Sequence, residues 1–139
     1  MTVVIDASAA LAWLLRSQAT PAAWAFLAAH ASRGFEAPEI FEWEVRNVLL
    51  SLGRRGMIED DDYDAAVASL SDMDLAYRDP VADVSELSVF ARRVGLSLFD
   101  AAYLALALDR DCALASRDAG LLRVAEASGV ECFDLRGTA

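Results

Sequence analysis

The chain has 139 residues, 56% of them hydrophobic and 24% charged, and carries a formal net charge of −10. This balance excludes a disordered chain, and the length suits one domain that buries roughly 68–70% of its unfolded surface. No apolar stretch reaches the ~18 residues of a membrane helix, and the first residues meet Asp6 without a basic leader, so neither a membrane span nor a signal peptide is expected and residence in the cytoplasm is.

Short apolar runs alternate with longer amphipathic ones, the pattern of an α/β fold: one domain over 1–139, with a parallel sheet of about five strands and helices on both faces. Val3-Val4-Ile5 is apolar and β-branched throughout, as a strand covered on both sides should be. A helix opened by Asp6 or Ser8 is expected to about residue 16, and a second from Pro21, with proline at a first-turn position, to about residue 32. Phe35-Glu36-Ala37 is a weak candidate for the second strand. The helical pattern is strong from Pro38 to about residue 55, where Gly56 can stop it. A helix from Asp60 to Leu70, a short strand Leu75-Ala76-Tyr77, a helix from about Val81 to Gly95 and another from Leu98 to Arg110 follow. Ala113-Leu114-Ala115 and Glu131-Cys132-Phe133 read as the last strands, separated by a helix over residues 118–128.

The acidity weighs against nucleic acid, because phosphate binding normally rests on basic side chains. Part of it is local, since Glu59, Asp60, Asp61, Asp62 and Asp64 form one run that reads as a solvated helix start. All 12 basic residues are arginines, whose forked guanidinium suits bidentate phosphate contacts. An RNA substrate is therefore permitted but not indicated. Cys112 and Cys132 lack metal-ligand spacing and read as reduced, mostly buried packing residues. The single histidine, His30, lies in an Ala-rich helical stretch with no nucleophile motif nearby, which disfavours zinc and Ser-His-Asp chemistry.

Four acids stand where apolar elements meet helices. Asp6 directly follows the first strand, Glu44 lies in the third helix, Asp100 in the first turn of its helix, and Asp118 three residues beyond Ala115. In open α/β sheets ligands bind beyond the carboxyl ends of the strands, so the chain can gather all four at one rim. Clustered carboxylates repel unless a cation or proton intervenes. Oxygen donors of this kind suit Mg²⁺ or Mn²⁺, as one ion or as two about 3.5–4 Å apart, able to activate water against a phosphodiester. Ser8, Asn47, Ser116 and Arg117 are candidates for positioning substrate or ligand water.

Each position also has a plainer explanation. Asp6, Ser8 and Asp118 are favourable helix caps, Ser97 and Asp100 match a loose capping box, Glu44 can lie with its stem packed and its head in water, and Arg117 can be an ordinary surface residue. Glu44 and Asn47 lie beside the apolar stripe of Phe41, Val45, Val48, Leu49 and Leu52. Trp43 and Leu50 point away from that stripe, so this helix either sits deep inside or meets another chain. Trp13 is a second candidate contact.

The ordered segments Val3-Val4-Ile5-Asp6-Ala7-Ser8, Glu44 with Asn47, Phe99-Asp100-Ala101-Ala102-Tyr103, and Leu114-Ala115-Ser116-Arg117-Asp118 resemble the PIN-domain ribonucleases, and most closely the VapC-type toxins of type II toxin–antitoxin pairs. The resemblance spans nearly the whole chain. It implies a Mg²⁺- or Mn²⁺-dependent endoribonuclease with Asp6, Glu44, Asp100 and Asp118 as the acidic quartet, often a homodimer, inhibited by a cognate antitoxin whose basic side chain reaches the acids. Ser116 stands where such proteins often have threonine, and keeps the hydroxyl. Two other classes are open: a catalytically inactive PIN-like binding module, and a doubly wound phosphoacceptor signalling domain. The latter normally needs a lysine near its acids, and this chain has none. A phosphohydrolase that uses a second aspartate two residues after the first is disfavoured by Ser8.

Overall fold

The structure is a computed structural model and describes residues 2–137. Val3, Val4 and Ile5 are wholly buried, which requires cover on both faces and sets this strand, β1 (Val3–Ile5), at the centre of a parallel sheet. Its neighbours are β2 (Phe35–Pro38) and β4 (Ala113–Ser116), with β3 (Leu75–Arg78) and β5 (Cys132–Asp134) at the edges, giving the order β3-β2-β1-β4-β5. Every pairing is parallel, with Val3 beside Phe35 on one side and Ala113 on the other. The strand order differs from the 2-1-3-4-5 order of flavodoxin-like phosphoacceptor domains, which removes that alternative.

Among the described residues seven α-helices connect the strands: α1 (Ala7–Leu14), α2 (Pro21–His30), α3 (Ile40–Arg54), α4 (Asp60–Asp72), α5 (Val84–Val94), α6 (Leu98–Arg110) and α7 (Ala119–Ala127). Helix α6 lies against β1, β2 and β4, with α5 and α7 beside it, while α1 packs on β4 and against α2, α3 and α4. The interior is built from β1, β2 and β4, the stripe Phe41, Val45 and Leu49 of α3, and Tyr103, Leu104 and Leu106 of α6. Among the described residues no helix is long and apolar enough to cross a membrane.

The expected elements all form, and the boundaries that move do so for local reasons. Helix α1 stops at Leu14 rather than near residue 16 because Leu15 turns extended and buries its side chain; Arg16–Gln18 then make a 3₁₀ turn. Pro38 belongs to β2, paired with Arg78, and not to the helix that follows. Helix α5 starts at Val84 rather than Val81, since the Asp83 side chain accepts the Glu86 N–H and fixes the cap there. It ends at Gly95, whose φ of 78° is the left-handed conformation that glycine adopts without steric penalty. The acidic run does open a helix, with Asp60, Asp61 and Asp62 in the first turn of α4.

Trp13 is partly buried: its indole stacks on Phe35 with ring centroids 5.6 Å apart and its Nε1–H donates to the Ala23 carbonyl at 2.9 Å, and it lines a surface cleft together with Trp24 and Met57, where a partner could still reach it. Cys112 is buried as expected, whereas Cys132 on the edge strand is half-buried; both thiols are free. Of the two readings of α3, burial on both faces is ruled out, because Trp43 is 80% exposed and Leu50 50%.

Nothing in the residue pattern singles out Glu36. It is fully buried on β2, held by Arg78 at 2.6 Å, by Arg110 and by the Thr2 hydroxyl. Burial raises its carboxyl pKa, but the Thr2 hydrogen bond and the two guanidinium groups outweigh that and leave it below the usual value. The cluster joins the start of β1, β2, β3 and the end of α6.

Candidate active site

The strand order reverses direction between β1 and β4, the crevice where open α/β sheets bind ligands beyond the carboxyl ends of their strands. Asp6 follows β1 and Asp118 follows β4, so both stand at that crevice. Glu44 reaches it from α3 and Asp100 from the first turn of α6. Together with Ala7, Ser8, Leu11, Gln18, Val48, Tyr103 and Arg117 these four acids line one cavity of about 320 Å³. Residues as far apart in sequence as 6 and 118 thus share a single wall.

Asp6 is the deepest of the four, 3% exposed. Its Oδ1 accepts from the Ser8 hydroxyl at 2.7 Å and from the Ala9 N–H at 2.9 Å, capping α1; its Oδ2 accepts from the Ser116 hydroxyl at 2.6 Å. Ser116, also buried, accepts the Asp118 N–H at 2.9 Å, and Asp118 Oδ2 accepts the Leu121 N–H at 2.8 Å, capping α7. The capping reading of Asp6 and Asp118 is therefore correct, and both acids face the cavity as well. Glu44 accepts the Tyr103 hydroxyl at 2.7 Å. Asp100 donates its backbone N–H to the Ser97 hydroxyl at 3.1 Å. The hydroxyls of Ser8 and Ser116 lie 3.4 Å apart and join the β1–α1 and β4–α7 turns.

The electrostatics are those of uncompensated charge. Burial, aided by the Asp100 charge, raises the Asp6 carboxyl pKa against the pull of its serine and backbone donors. Glu44 is raised by burial and by the charges of Asp100 and Asp6, with Tyr103 pulling the other way, and Asp100 by burial and the charge of Asp118. The Tyr103 hydroxyl is driven far above its usual range by burial and by Glu44, so it remains a donor. Among the described residues none of the four acids forms an ion pair with arginine or histidine. An all-oxygen donor set in a negative field fits a hard divalent cation. The carboxylates are not drawn into a closed cage, however: among the described residues no three His, Cys, Asp or Glu side chains are grouped tightly enough to encircle an ion.

Of the expected auxiliary residues, Ser8, Ser116 and Arg117 belong to this hydrogen-bonded wall. Arg117 is neither a free surface side chain nor aimed at open solvent: its Nε–H donates to the Ser8 carbonyl and an Nη–H to Gln18 Oε1, both at 2.6 Å. Asn47 is exposed on α3 and is not among the residues lining the cavity. Tyr103 and Gln18 were missed. Tyr103 stands three residues after Asp100 on the same helix, a spacing that puts both on one face. Gln18 had no signal, because its placement depends on the 3₁₀ turn after Leu15.

The model of the PIN domain matches residues 3–127. Solved structures with the same fold include PAE2754 from Pyrobaculum aerophilum, 21% identical with a TM-score of 0.71 over 96% of this chain and 90% of that one. FitAcB from Neisseria gonorrhoeae is 18% identical with a TM-score of 0.68, covering 96% and 97%. A PilT N-terminus domain protein, SSO1118, from Sulfolobus solfataricus P2 is 15% identical with a TM-score of 0.51, covering 97% and 87%. No curated protein matches the chain.

Proposed function

This chain belongs to the PIN-domain family, whose members are in general nucleases, and on that premise we propose that it is a Mg²⁺- or Mn²⁺-dependent endoribonuclease acting in the cytoplasm as the toxin of a toxin–antitoxin pair of the VapC type. The observation that carries the reading is the wall shared by Asp6, Glu44, Asp100 and Asp118, four acids around one cavity, none of which forms an ion pair among the described residues. These four would hold the ion. When bound, it supplies Lewis acidity, lowering the pKa of the attacking water and offsetting charge on the leaving oxygen.

The chain's own side chains do the rest. Ser8, Ser116 and the Ala9 N–H fix both oxygens of Asp6, and Tyr103 fixes one oxygen of Glu44, so the carboxylates need little reorganisation during reaction. Water adds to phosphorus as the bond from phosphorus to the leaving oxygen breaks, a proton passes from the water to a carboxylate, and the leaving oxygen takes up a proton from solvent. Glu44 and Asp100, which line the cavity from α3 and α6, are placed for that role. Arg117 orients the phosphate from the cavity wall, Ser8 acts through the Asp6 oxygen to which it donates, and Asn47 acts from the exposed rim of α3.

Two surfaces support partners. A cleft of about 620 Å³ is lined by Trp24, Met57 and Ile58 and edged by Asp62, which suits an amphipathic antitoxin segment carrying basic side chains. It runs along Leu15, Arg16 and Ser17, next to Gln18 of the acid cavity. The exposed Trp43 and Leu50 on α3 suit a second copy of the chain. The absence of a closed acidic cage favours a second reading, the inactive PIN-like binding module. Incubation with RNA separates the two: cleavage that needs Mg²⁺ or Mn²⁺, stops with EDTA and disappears in Asp6→Asn and Asp100→Asn is expected, whereas undiminished cleavage by the folded variants, or none by the wild type with either ion, would reject the nuclease assignment.

A further inference from the structure

Arg117 is the one basic side chain among the residues that line the acid cavity, and among the described residues it pairs with none of the four carboxylates. Four acids and a guanidinium sharing a cavity of about 320 Å³ would ordinarily collapse together, since an arginine–carboxylate pair is the stronger, charge-assisted hydrogen bond. Neutral acceptors hold it instead. Nε donates to the Ser8 carbonyl and Nη2 to Gln18 Oε1, each at 2.6 Å, and the Arg117 backbone N–H donates to the Ser8 hydroxyl at 2.9 Å. The Ser8 carbonyl is fixed in the first turn of α1. Gln18 is a single side chain on the three-residue 3₁₀ turn Arg16–Gln18, so it is the removable half of the clamp.

We propose that Gln18 is a positioning residue that holds the Arg117 guanidinium off the acid cavity's carboxylates, leaving the acids open to a divalent cation and the guanidinium open to a phosphate. The inference rests on the metal reading given above and adds the group that keeps the site from neutralising itself. Without the Gln18 acceptor, the Arg117 guanidinium keeps the Ser8 backbone carbonyl as its partner, and its other nitrogens turn toward the nearest negative charge. Asp6 is the carboxylate whose field already acts on it. An arginine on the acids competes directly with the cation.

The test compares wild type with Gln18→Met, which keeps the stem and removes the acceptor, and with Gln18→Met/Arg117→Ala. Thermal unfolding in EDTA establishes that each is folded, and the shift in melting temperature on titrating MgCl₂ or MnCl₂ reads cation binding without relying on cleavage. Gln18→Met is expected to raise the cation concentration for half-maximal stabilisation by about tenfold, the scale of one charge-assisted pair, and the double variant to return it to or below the wild-type value. An unchanged titration in Gln18→Met overturns the inference, as does a weakened one that removal of Arg117 does not restore. If the wild type itself shows no shift with either ion, the metal reading fails first and this inference falls with it. A normal wild-type shift with an unchanged variant sinks the inference alone.

Discussion

The Ser116 hydroxyl donates to Asp6 Oδ2 at 2.6 Å while accepting the Asp118 N–H at 2.9 Å, so one oxygen ties the acid after β1 to the acid after β4. Ser116 is fully buried. Its replacement by alanine leaves a carboxylate oxygen and a backbone N–H without partners, a loss of about 1–3 kcal/mol. Ser116→Ala is therefore expected to unfold at lower denaturant concentration with an unchanged m-value, and to cleave RNA more slowly. Ser116→Thr keeps the hydroxyl and should retain activity.

Tyr103→Phe removes the 2.7 Å hydrogen bond to Glu44 and almost nothing else, because the ring stays in the core. Glu44 then loses the donor that holds its proton affinity down. A stability change of about 1 kcal/mol should accompany a fall in kcat of about tenfold with KM nearly constant. Steady-state cleavage of a short RNA separates the two parameters, and a change confined to KM would contradict the positioning role.

The acid pKa shifts fix a pH dependence. The folded-state carboxyls of Asp6, Glu44 and Asp100 lie above their ordinary values, so the folded chain binds more protons than the unfolded one as pH rises out of the ordinary carboxylate range. Stability falls across that window and stays lower above it. Glu36, whose carboxyl is lowered, works oppositely: its contribution is complete above the ordinary value and is lost as pH drops through the folded one. In EDTA the melting temperature should therefore peak on the mildly acidic side and decline toward neutrality. Mg²⁺ or Mn²⁺ should flatten that decline, with a larger stabilisation near pH 7.5 than near pH 5.5. Melting curves at the two pH values, with EDTA or with the ion, provide the check.

Glu36→Ala removes the buried acceptor shared by Arg78, Arg110 and Thr2. Breaking a buried pair from one side typically costs about 3–5 kcal/mol, but both arginines are 40% exposed and can turn to water, which brings the expectation to about 2–3 kcal/mol. Chemical denaturation measures it. Glu36 does not line the acid cavity, so the variant's folded fraction should cleave RNA at the wild-type rate per molecule.

Asp6 and Asp100 were legible because each breaks a hydrophobic pattern at an element end, Asp6 after three wholly buried strand residues and Asp100 before the buried Ala101, Tyr103 and Leu104; Glu44 stood out instead by its place beside the apolar stripe of α3. Residues acting through a neighbour were not. Glu36 sits in the middle of a weak strand, and only the fold reveals that Arg78 and Arg110 converge on it. Gln18 depends on Leu15 leaving the helix, a boundary that local propensity does not fix. The cap explanations of Asp6 and Asp118 were true without excluding the site, since a side chain with two oxygens can cap with one and face the cavity beside the other.

The central strand β1 is made first but hydrogen-bonds on one side to β4, more than a hundred residues later, through Val3 to Ala113 and Ile5 to Ala115. During synthesis its inner edge has no sheet partner until that segment leaves the ribosome, and Asp118 follows only three residues after Ala115. A growing chain therefore holds at most three of its four acids, and holds them without the strand that aligns them. The quartet is complete only after β4 and the residues through Asp118 have been made and have paired with β1.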